Sequence, residues 1–126
     1  MSIDYTEAFV AIGSENFDKT VAFYAAVLGR EPDERTRDIH VAFHLPGLRL
    51  ALFKPRANHP AFFRNSPDRH SGLSLVLRVP SVERAAAELT RLGAPSPSPV
   101  LETSLGREVY GYDPDGNRLI LVQRTR

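Results

Sequence analysis

The amino-acid sequence predicts an α+β fold built from two copies of one module, each a strand, a helix and three further strands. The first observation is an internal repeat, in which PGLRLALFK at residues 46–54 lies over DGNRLILVQ at residues 115–123. The second is that two apolar stripes at helical spacing each end at a glycine, Gly29 and Gly93. Because such a repeat marks two similar units, both halves of the chain are predicted to share one topology.

The elements of the first module follow from the spacing of its apolar residues. Residues 9–12 form a short apolar run typical of a strand, and residues 17–28 carry apolar side chains at helical spacing. Residues 30–39 are polar with weak alternation, which indicates an exposed edge strand or a loop. Residues 41–44 and 48–54 are then predicted to form a hairpin. Three polar residues could cap the helix: Ser14, Asn16 and Asp18.

The chain is predicted to be a single domain of residues 1–126. The proline-rich stretch at residues 57–70 reads as a linker between the two modules, which cover about residues 1–56 and 71–126.

The second module repeats the order of the first. Residues 73–79 are predicted as a strand, and Ser81 is predicted to cap the helix that follows. Prolines at residues 95–99 restrict any strand near Val100 to a short one at a sheet edge. The terminal hairpin turns at DPDGN, residues 113–117, where Gly116 is expected to adopt a positive φ angle.

The composition restricts the class of protein. The chain of 126 residues suits one compact domain, and its 42% hydrophobic residues are enough for a core. It lacks cysteine, which excludes disulfides and cysteine-bound zinc. Its net charge is +1, without the basic block typical of nucleic-acid binding. With no apolar run long enough to cross a bilayer and no signal segment, we predict a cytoplasmic protein without membrane or nucleic-acid partners.

Four short motifs lie in the first predicted helix and in the terminal hairpin. They are FY at 23–24, LG at 28–29, GRE at 106–108 and DPDGN at 113–117. Together they resemble the vicinal oxygen chelate superfamily, which includes glyoxalase I, extradiol dioxygenases, fosfomycin-resistance enzymes and bleomycin-resistance proteins. The resemblance covers nearly the whole chain. It implies that the two modules form a curved mixed β-sheet around a cleft, with the helices outside.

The resemblance also implies where a metal ion would bind. Enzymes of that superfamily hold one metal ion with His or Glu from the first and last strands of both modules. In this chain the four positions are Phe9, Ala51, Ser74 and Ile120. Phe, Ala and Ile have no donor atom, and a neutral serine hydroxyl is a poor ligand for a divalent ion. We therefore predict no metal or other cofactor. The alternative is a displaced metal site built from His residues: His40, His44, His59 and His70.

Without a metal ion, the cleft is expected to be a cup with apolar and aromatic walls and a few polar tips, as in small-ligand pockets. Alternation places Phe53 on the face of Ala51, and Tyr110 on the face of Tyr112. Because Ala51 and Ser74 are smaller than metal ligands, the cup is expected to retain free volume. The alternative is that its own side chains fill it. Nine residues are predicted to contact the ligand: Phe9, His44, Ala51, Phe53, Ser74, Arg107, Tyr110, Tyr112 and Ile120.

The predicted function is metal-independent binding of a small organic molecule. The resemblance to bleomycin-resistance proteins implies sequestration as its use, and Arg107 would favour a ligand with an anionic group. One alternative is a glyoxalase- or dioxygenase-type lyase or isomerase with a displaced metal site. Another is a metal-free enzyme in which Tyr110, Tyr112 or His44 acts as an acid or base. Open strand edges and the resemblance also predict a homodimer with shared or adjoining clefts.

Overall fold

The structure is a computed structural model that describes residues 2–104 and 106–124. The elements of the first module are β1 (Val10–Gly13), α1 (Phe17–Leu28), β2 (Glu34–Thr36), β3 (His40–Leu45) and β4 (Leu48–Phe53). Those of the second are β5 (Ser74–Arg78), α2 (Val82–Arg91), β6 (Leu101–Thr103), β7 (Gly106–Tyr112) and β8 (Arg118–Gln123). A short 3₁₀ helix, Pro60–Phe63, lies between them. The predicted order of one strand, one helix and three strands is confirmed in both modules.

Each module forms one four-stranded mixed sheet, called sheet A in the first module and sheet B in the second. The strand order is β1-β4-β3-β2 in sheet A and β5-β8-β7-β6 in sheet B. In each sheet the first strand of the module pairs in parallel with the last, and the other pairs are antiparallel. As predicted, β2 is a short exposed edge strand, and β6 is a short strand at the edge after the prolines.

The two copies of the sequence repeat also have the same strand pairing in the two sheets. Ala51 on β4 pairs with Ala11 on β1, and Ile120 on β8 pairs with Val76 on β5. The two residues therefore occupy equivalent places in the two sheets, as their alignment in the sequence predicts.

The two helices begin in different ways. In α2, the Oγ of Ser81 accepts a hydrogen bond from the backbone N–H of Arg84 at 3.2 Å, which is the predicted cap. In α1, Asn16 occupies the N-cap position but its side chain makes no capping hydrogen bond. Its amide donates instead to Asp115 at 3.1 Å. Gly29 ends α1 in the left-handed conformation, with a φ of 66°.

One apolar core lies between the helices and the sheets. Its buried members from the sheets are Val41, Phe43, Leu50, Leu52, Val109, Leu119 and Leu121. The alternate residues of each strand point the other way, and we call that side the helix-free face of each sheet. In the part of the chain that the structure describes, neither helix has the length and apolar character needed to span a bilayer.

Candidate functional site

Nine side chains from β5, β8 and β7 share the helix-free face of sheet B, and we call this surface the open face. Cross-strand pairing arranges them in three rows across β5, β8 and β7. The rows are Ser74, Arg118 and Tyr112; Val76, Ile120 and Tyr110; and Arg78, Val122 and Glu108. The middle row is apolar and aromatic, and the rows on either side carry the charged groups.

The open face is accessible to a ligand. Val76 is 56% exposed, while Ile120 and Tyr110 beside it are half-buried. A depression of about 420 Å³ lies over the middle and third rows, and its lining residues are Val76, Arg78, Glu108, Ile120, Val122 and Arg124. The surface therefore offers an apolar floor at a size suited to a small molecule.

The charged groups of the third row are available for binding. Arg78 and Glu108 lie on either side of Val122 in the pairing of the strands. Neither has an ion-pair partner within residues 2–104 and 106–124. A ligand over Val122 can therefore meet a positive group on one side and a negative group on the other.

The first row is already held by internal contacts. The Nε of Arg118 donates to the Oγ of Ser74 at 2.8 Å. The guanidinium of Arg69 lies over the ring of Tyr112, 5.3 Å from its centroid. These contacts fix the end of the open face nearest the turn at residues 113–117.

Residues 61–65, which we call the cover segment, lie against one end of the helix-free face of sheet A, at Gly13 and Phe53. The ring of Phe63 packs edge-to-face on Phe53, with centroids 4.9 Å apart. It also lies over Gly13, where an added Cβ would come within 2.7 Å of the Cβ of Phe63. Ala51 is only 1% exposed. The expectation of free volume at Ala51 is therefore wrong, because almost none of this residue is accessible to solvent.

Polar contacts attach the cover segment to both modules. The guanidinium of Arg64 donates to the carboxylate of Glu15, with the shortest contact at 2.7 Å. The amide of Asn65 donates to the backbone oxygen of Asp115 and to the Oδ1 of Asn117, each at 2.9 Å. The segment is thus fixed at the β1–α1 connection and at the second-module turn.

The turn at residues 113–117 joins the second module to α1 of the first. Asp115 accepts hydrogen bonds from the Oγ1 of Thr20 at 2.7 Å and from the side chain of Ser14. Asp113 accepts from the hydroxyl of Tyr24 at 2.7 Å. We call these contacts the turn cluster, and its members are Ser14, Asn16, Thr20, Tyr24, Asp113 and Asp115.

Burial raises the pKa values of two groups in the turn cluster. Asp113 is 1% exposed, and burial raises the pKa of its carboxyl, although hydrogen bonds from Asn117 and Tyr24 oppose the shift. Burial also raises the pKa of Tyr24 well above its usual value, and the nearby charge of Asp113 adds to this. The phenol therefore stays protonated and can donate to the carboxylate.

A comparison with known protein families agrees with the doubled fold. A model of the glyoxalase-like domain family matches residues 9–122. The chain belongs to this family. The match covers both modules, and it confirms the resemblance to the vicinal oxygen chelate superfamily. No curated protein sequence matches the chain.

Solved structures from the same superfamily share this glyoxalase-like fold. The lactoylglutathione lyase from Agrobacterium tumefaciens is 20% identical, with a TM-score of 0.66 and 94% of each chain covered. A bleomycin-binding protein complexed with bleomycin is 23% identical, with a TM-score of 0.64 over 95% of this chain and 99% of the other. The fosfomycin resistance protein FosX from Mesorhizobium loti is 14% identical, with a TM-score of 0.68 over 98% and 95%. At these identities the likeness establishes the fold alone.

In this glyoxalase-like domain, the residues at the implied metal positions do not fit a divalent ion. Ala51 lies on the helix-free face of sheet A, with Phe9 one residue before β1. Ser74 and Ile120 share the open face of sheet B. Three of the four side chains have no donor atom, and the Oγ of Ser74 already accepts a hydrogen bond from Arg118. The set therefore lacks the anionic or imidazole ligands that a metal ion requires.

Two of the four histidines contact side chains that are not histidines. The Nε2 of His44 contacts the carboxylate of Glu34 at 2.5 Å, and the ring of His59 stacks on Phe62 with centroids 4.8 Å apart. Across residues 2–104 and 106–124, no three His, Asp or Glu side chains are grouped so as to hold a metal ion. Within those residues, no displaced site replaces the missing donor set.

Arg107 lies on the opposite face of β7 from the tyrosines. It pairs with Glu83 on α2 and with Glu102, the latter at 3.2 Å. Arg107 was predicted to contact the ligand, but it lies on the face away from Tyr110 and Tyr112, and Glu108 is the residue that shares their face of the strand.

The structure divides the nine predicted contact residues into three groups. Four lie together on the open face: Ser74, Tyr110, Tyr112 and Ile120. Another four lie on or next to the helix-free face of sheet A: Phe9, His44, Ala51 and Phe53. Arg107 is the ninth. The prediction omitted Arg78, Glu108 and Arg118, although strict alternation from Ser74, Tyr110 and Ile120 would have identified them.

Proposed function

We propose that this glyoxalase-like domain binds a small organic molecule on the open face of sheet B without a metal ion. The observation that carries the proposal is the middle row, in which Val76, Ile120 and Tyr110 provide an apolar floor. Ile120 stands where the superfamily resemblance implies a His or Glu that binds a metal ion, so the apolar side chain at this position favours contact with carbon atoms.

The arrangement of the rows indicates the kind of ligand. An aromatic or aliphatic centre would lie on Ile120 and against Tyr110, since aromatic walls supply a large contact area at low entropic cost. Polar substituents at one end would meet Arg78 and Glu108. The depression of about 420 Å³ lies within the range of roughly 300–1,000 Å³ that is typical of small-molecule sites.

We propose sequestration as the biological use. The bleomycin-binding protein of similar fold was solved with bleomycin bound. Binding without chemistry needs shape and contact area but no donor set for a metal ion, which agrees with Phe9, Ala51, Ser74 and Ile120. The cytoplasmic location stays a prediction from the sequence.

A ligand screen by thermal shift tests the proposal. Small organic molecules, bleomycin and fosfomycin among them, would be added to the protein in the presence of a chelator. Replacing Ile120 with Gln should weaken a bound ligand by about tenfold, because the floor loses apolar contact and gains an amide to desolvate. The same change at Ile39, an isoleucine of sheet A's module that is 48% exposed, is the matched control. Binding that needs an added metal ion, or that responds to Ile39→Gln and not to Ile120→Gln, would contradict the proposal.

We also propose that two copies of the chain form a homodimer beside the open face. Leu73 and Phe9, which lie outside the middle row of the open face, are 65% and 48% exposed. Apolar side chains this accessible are often covered by a partner. A stable interface would bury on the order of 1,200 Å² or more. Light scattering at micromolar concentration should give the dimer mass. A monomer mass, with no two-fold packing in a crystal, would contradict it.

A further inference from the structure

A second cavity, with a volume of about 210 Å³, lies between the two modules. β1 and β5 belong to different sheets, so the cavity occupies a gap between strands that do not pair with each other in the described residues. We call it the seam cavity. Its apolar lining is Val10, Ile12, Leu48, Leu50, Leu73 and Leu75. Val76 of the middle row of the open face also lines this cavity, but Ile120 and Tyr110 do not.

Arg118 places a positive charge at the polar end of the seam cavity. Its Nε donates to the Oγ of Ser74 at 2.8 Å, and its Nη2 donates to the backbone oxygen of Ser71. A guanidinium has more N–H donors than these two bonds use. No carboxylate lies within ion-pair distance of Arg118 among residues 2–104 and 106–124. None of the described lining residues is acidic, so the positive charge of Arg118 can pair with an anionic group of a ligand.

The internal repeat provides a direct comparison for this arginine. Arg49 on β4 is the equivalent of Arg118 on β8, because residues 46–54 lie over residues 115–123. Arg49 pairs with the carboxylate of Glu7 at 3.2 Å. Arg118 is half-buried and has no such partner among the described residues. A charge withdrawn from water is normally paired, so this position favours an anion supplied from outside.

We propose that the seam cavity binds a small monocarboxylate with an aromatic or branched aliphatic tail. The carboxylate would accept hydrogen bonds from the free N–H groups of Arg118, and the tail would lie between Leu50 and Leu75. A dry cavity of about 150 Å³ holds benzene in another protein, so 210 Å³ has room for a ring with a short substituent. This site does not depend on the function proposed for the open face.

Titration with para-fluorobenzoate, followed by fluorine NMR, tests the inference. The unmodified protein should bind this probe saturably, with a Kd of about 1 mM or lower. The neutral para-fluorobenzamide should bind at least about tenfold more weakly, because it lacks the charge that pairs with Arg118. No saturable binding of the carboxylate, or equal binding of the amide, would overturn the proposal.

Three variants locate the probe. Arg118→Gln should weaken para-fluorobenzoate by about tenfold or more, while Arg49→Gln, the matched change in the other module, should not. Leu75→Phe should abolish binding by filling the cavity. If Leu75→Phe does not fold, Leu48→Phe at a half-buried position of the lining makes the same test.

The open-face variant separates this inference from the proposed function. Ile120→Gln should leave para-fluorobenzoate binding unchanged, because Ile120 does not line the seam cavity. Loss of the probe in Ile120→Gln, with binding retained in Leu75→Phe, would place it on the open face and overturn the seam site.

Discussion

In sheet A the residues paired with Ala51 are Ala11 and Ala42, and in sheet B the residues paired with the equivalent Ile120 are Val76 and Tyr110. The first set is small, and the cover segment packs over the same sheet face through Phe63 and Phe53. The second set is larger and remains accessible. Two sheets of one topology thus differ on their helix-free faces: a part of the chain itself packs on sheet A, whereas sheet B keeps an accessible apolar and aromatic surface.

The two hairpin turns differ in a similar way. The turn around Gly47 closes β3 and β4, and a Cβ at that glycine would meet nothing within 4 Å. The turn at residues 113–117 closes β7 and β8 and also binds α1 through Asp113 and Asp115. One copy of the turn is therefore a local connection, while the other holds the two modules together.

The largest expected effect comes from Asp113. Its Oδ2 accepts from Tyr24, and its Oδ1 accepts from the backbone N–H groups of Asp115 and Asn117 at 2.8 and 2.9 Å. Asp113→Ala should lower the free energy of unfolding by roughly 3 kcal/mol or more, because several buried donors lose their acceptor. Asp33→Ala is the control, since Asp33 accepts from the backbone N–H of His44 at an exposed site in the first module. Urea denaturation should show a much smaller loss for Asp33, and equal losses would contradict the role of the turn cluster.

Gly13→Ala tests the cover segment. The added methyl would come within 2.7 Å of the Cβ and Cγ of Phe63, so the segment must move. A loss of about 1–3 kcal/mol in the free energy of unfolding is expected, the usual cost of overpacking. In a Phe63→Gly background the same change should cost much less, because both clashing carbons of Phe63, the Cβ and the Cγ, are gone. Additive losses in this double-mutant cycle would show that Phe63 does not lie on Gly13.

A smaller and similar effect is expected at the two turn glycines. Gly116 and Gly47 have φ angles of 86° and 75°, where a side chain is strained. Gly116→Ala and Gly47→Ala should each lower the free energy of unfolding by about 1 kcal/mol. Thermal denaturation measures both. No change at Gly116 would contradict the left-handed turn that sets the register of Ile120.

The sequence predicts what depends on local pattern. The repeat identifies both modules and aligns Ala51 with Ile120, the DPDGN turn predicts the positive φ of Gly116, and Ser81 is recognisable as a cap. Each of these features is determined by residues a few positions apart, so spacing and turn chemistry are enough to predict them.

The features that were missed depend on contacts between distant parts of the chain. Phe63 lies in a proline-rich stretch without periodicity, and nothing local indicates that it packs on Phe53. The side chain of Asn16 bonds with Asp115 rather than capping α1, and these residues are far apart in sequence. The placement of Arg107 differs from the prediction for another reason: the resemblance of the GRE motif does not determine which face of β7 a side chain takes, whereas strand alternation assigns Glu108 to the open face.

The central proposal is that the glyoxalase-like domain binds its ligand without a metal ion. Equilibrium dialysis against zinc, nickel, manganese and ferrous ions, followed by elemental analysis, tests it most directly. A Ser74→His, Ile120→Glu double variant is the positive control, because it restores imidazole and carboxylate donors at neighbouring positions of the open face. The account predicts no stoichiometric ion on the unmodified protein and a gain of metal binding in the double variant. One ion per unmodified chain, released by substitutions on the helix-free faces, would contradict it.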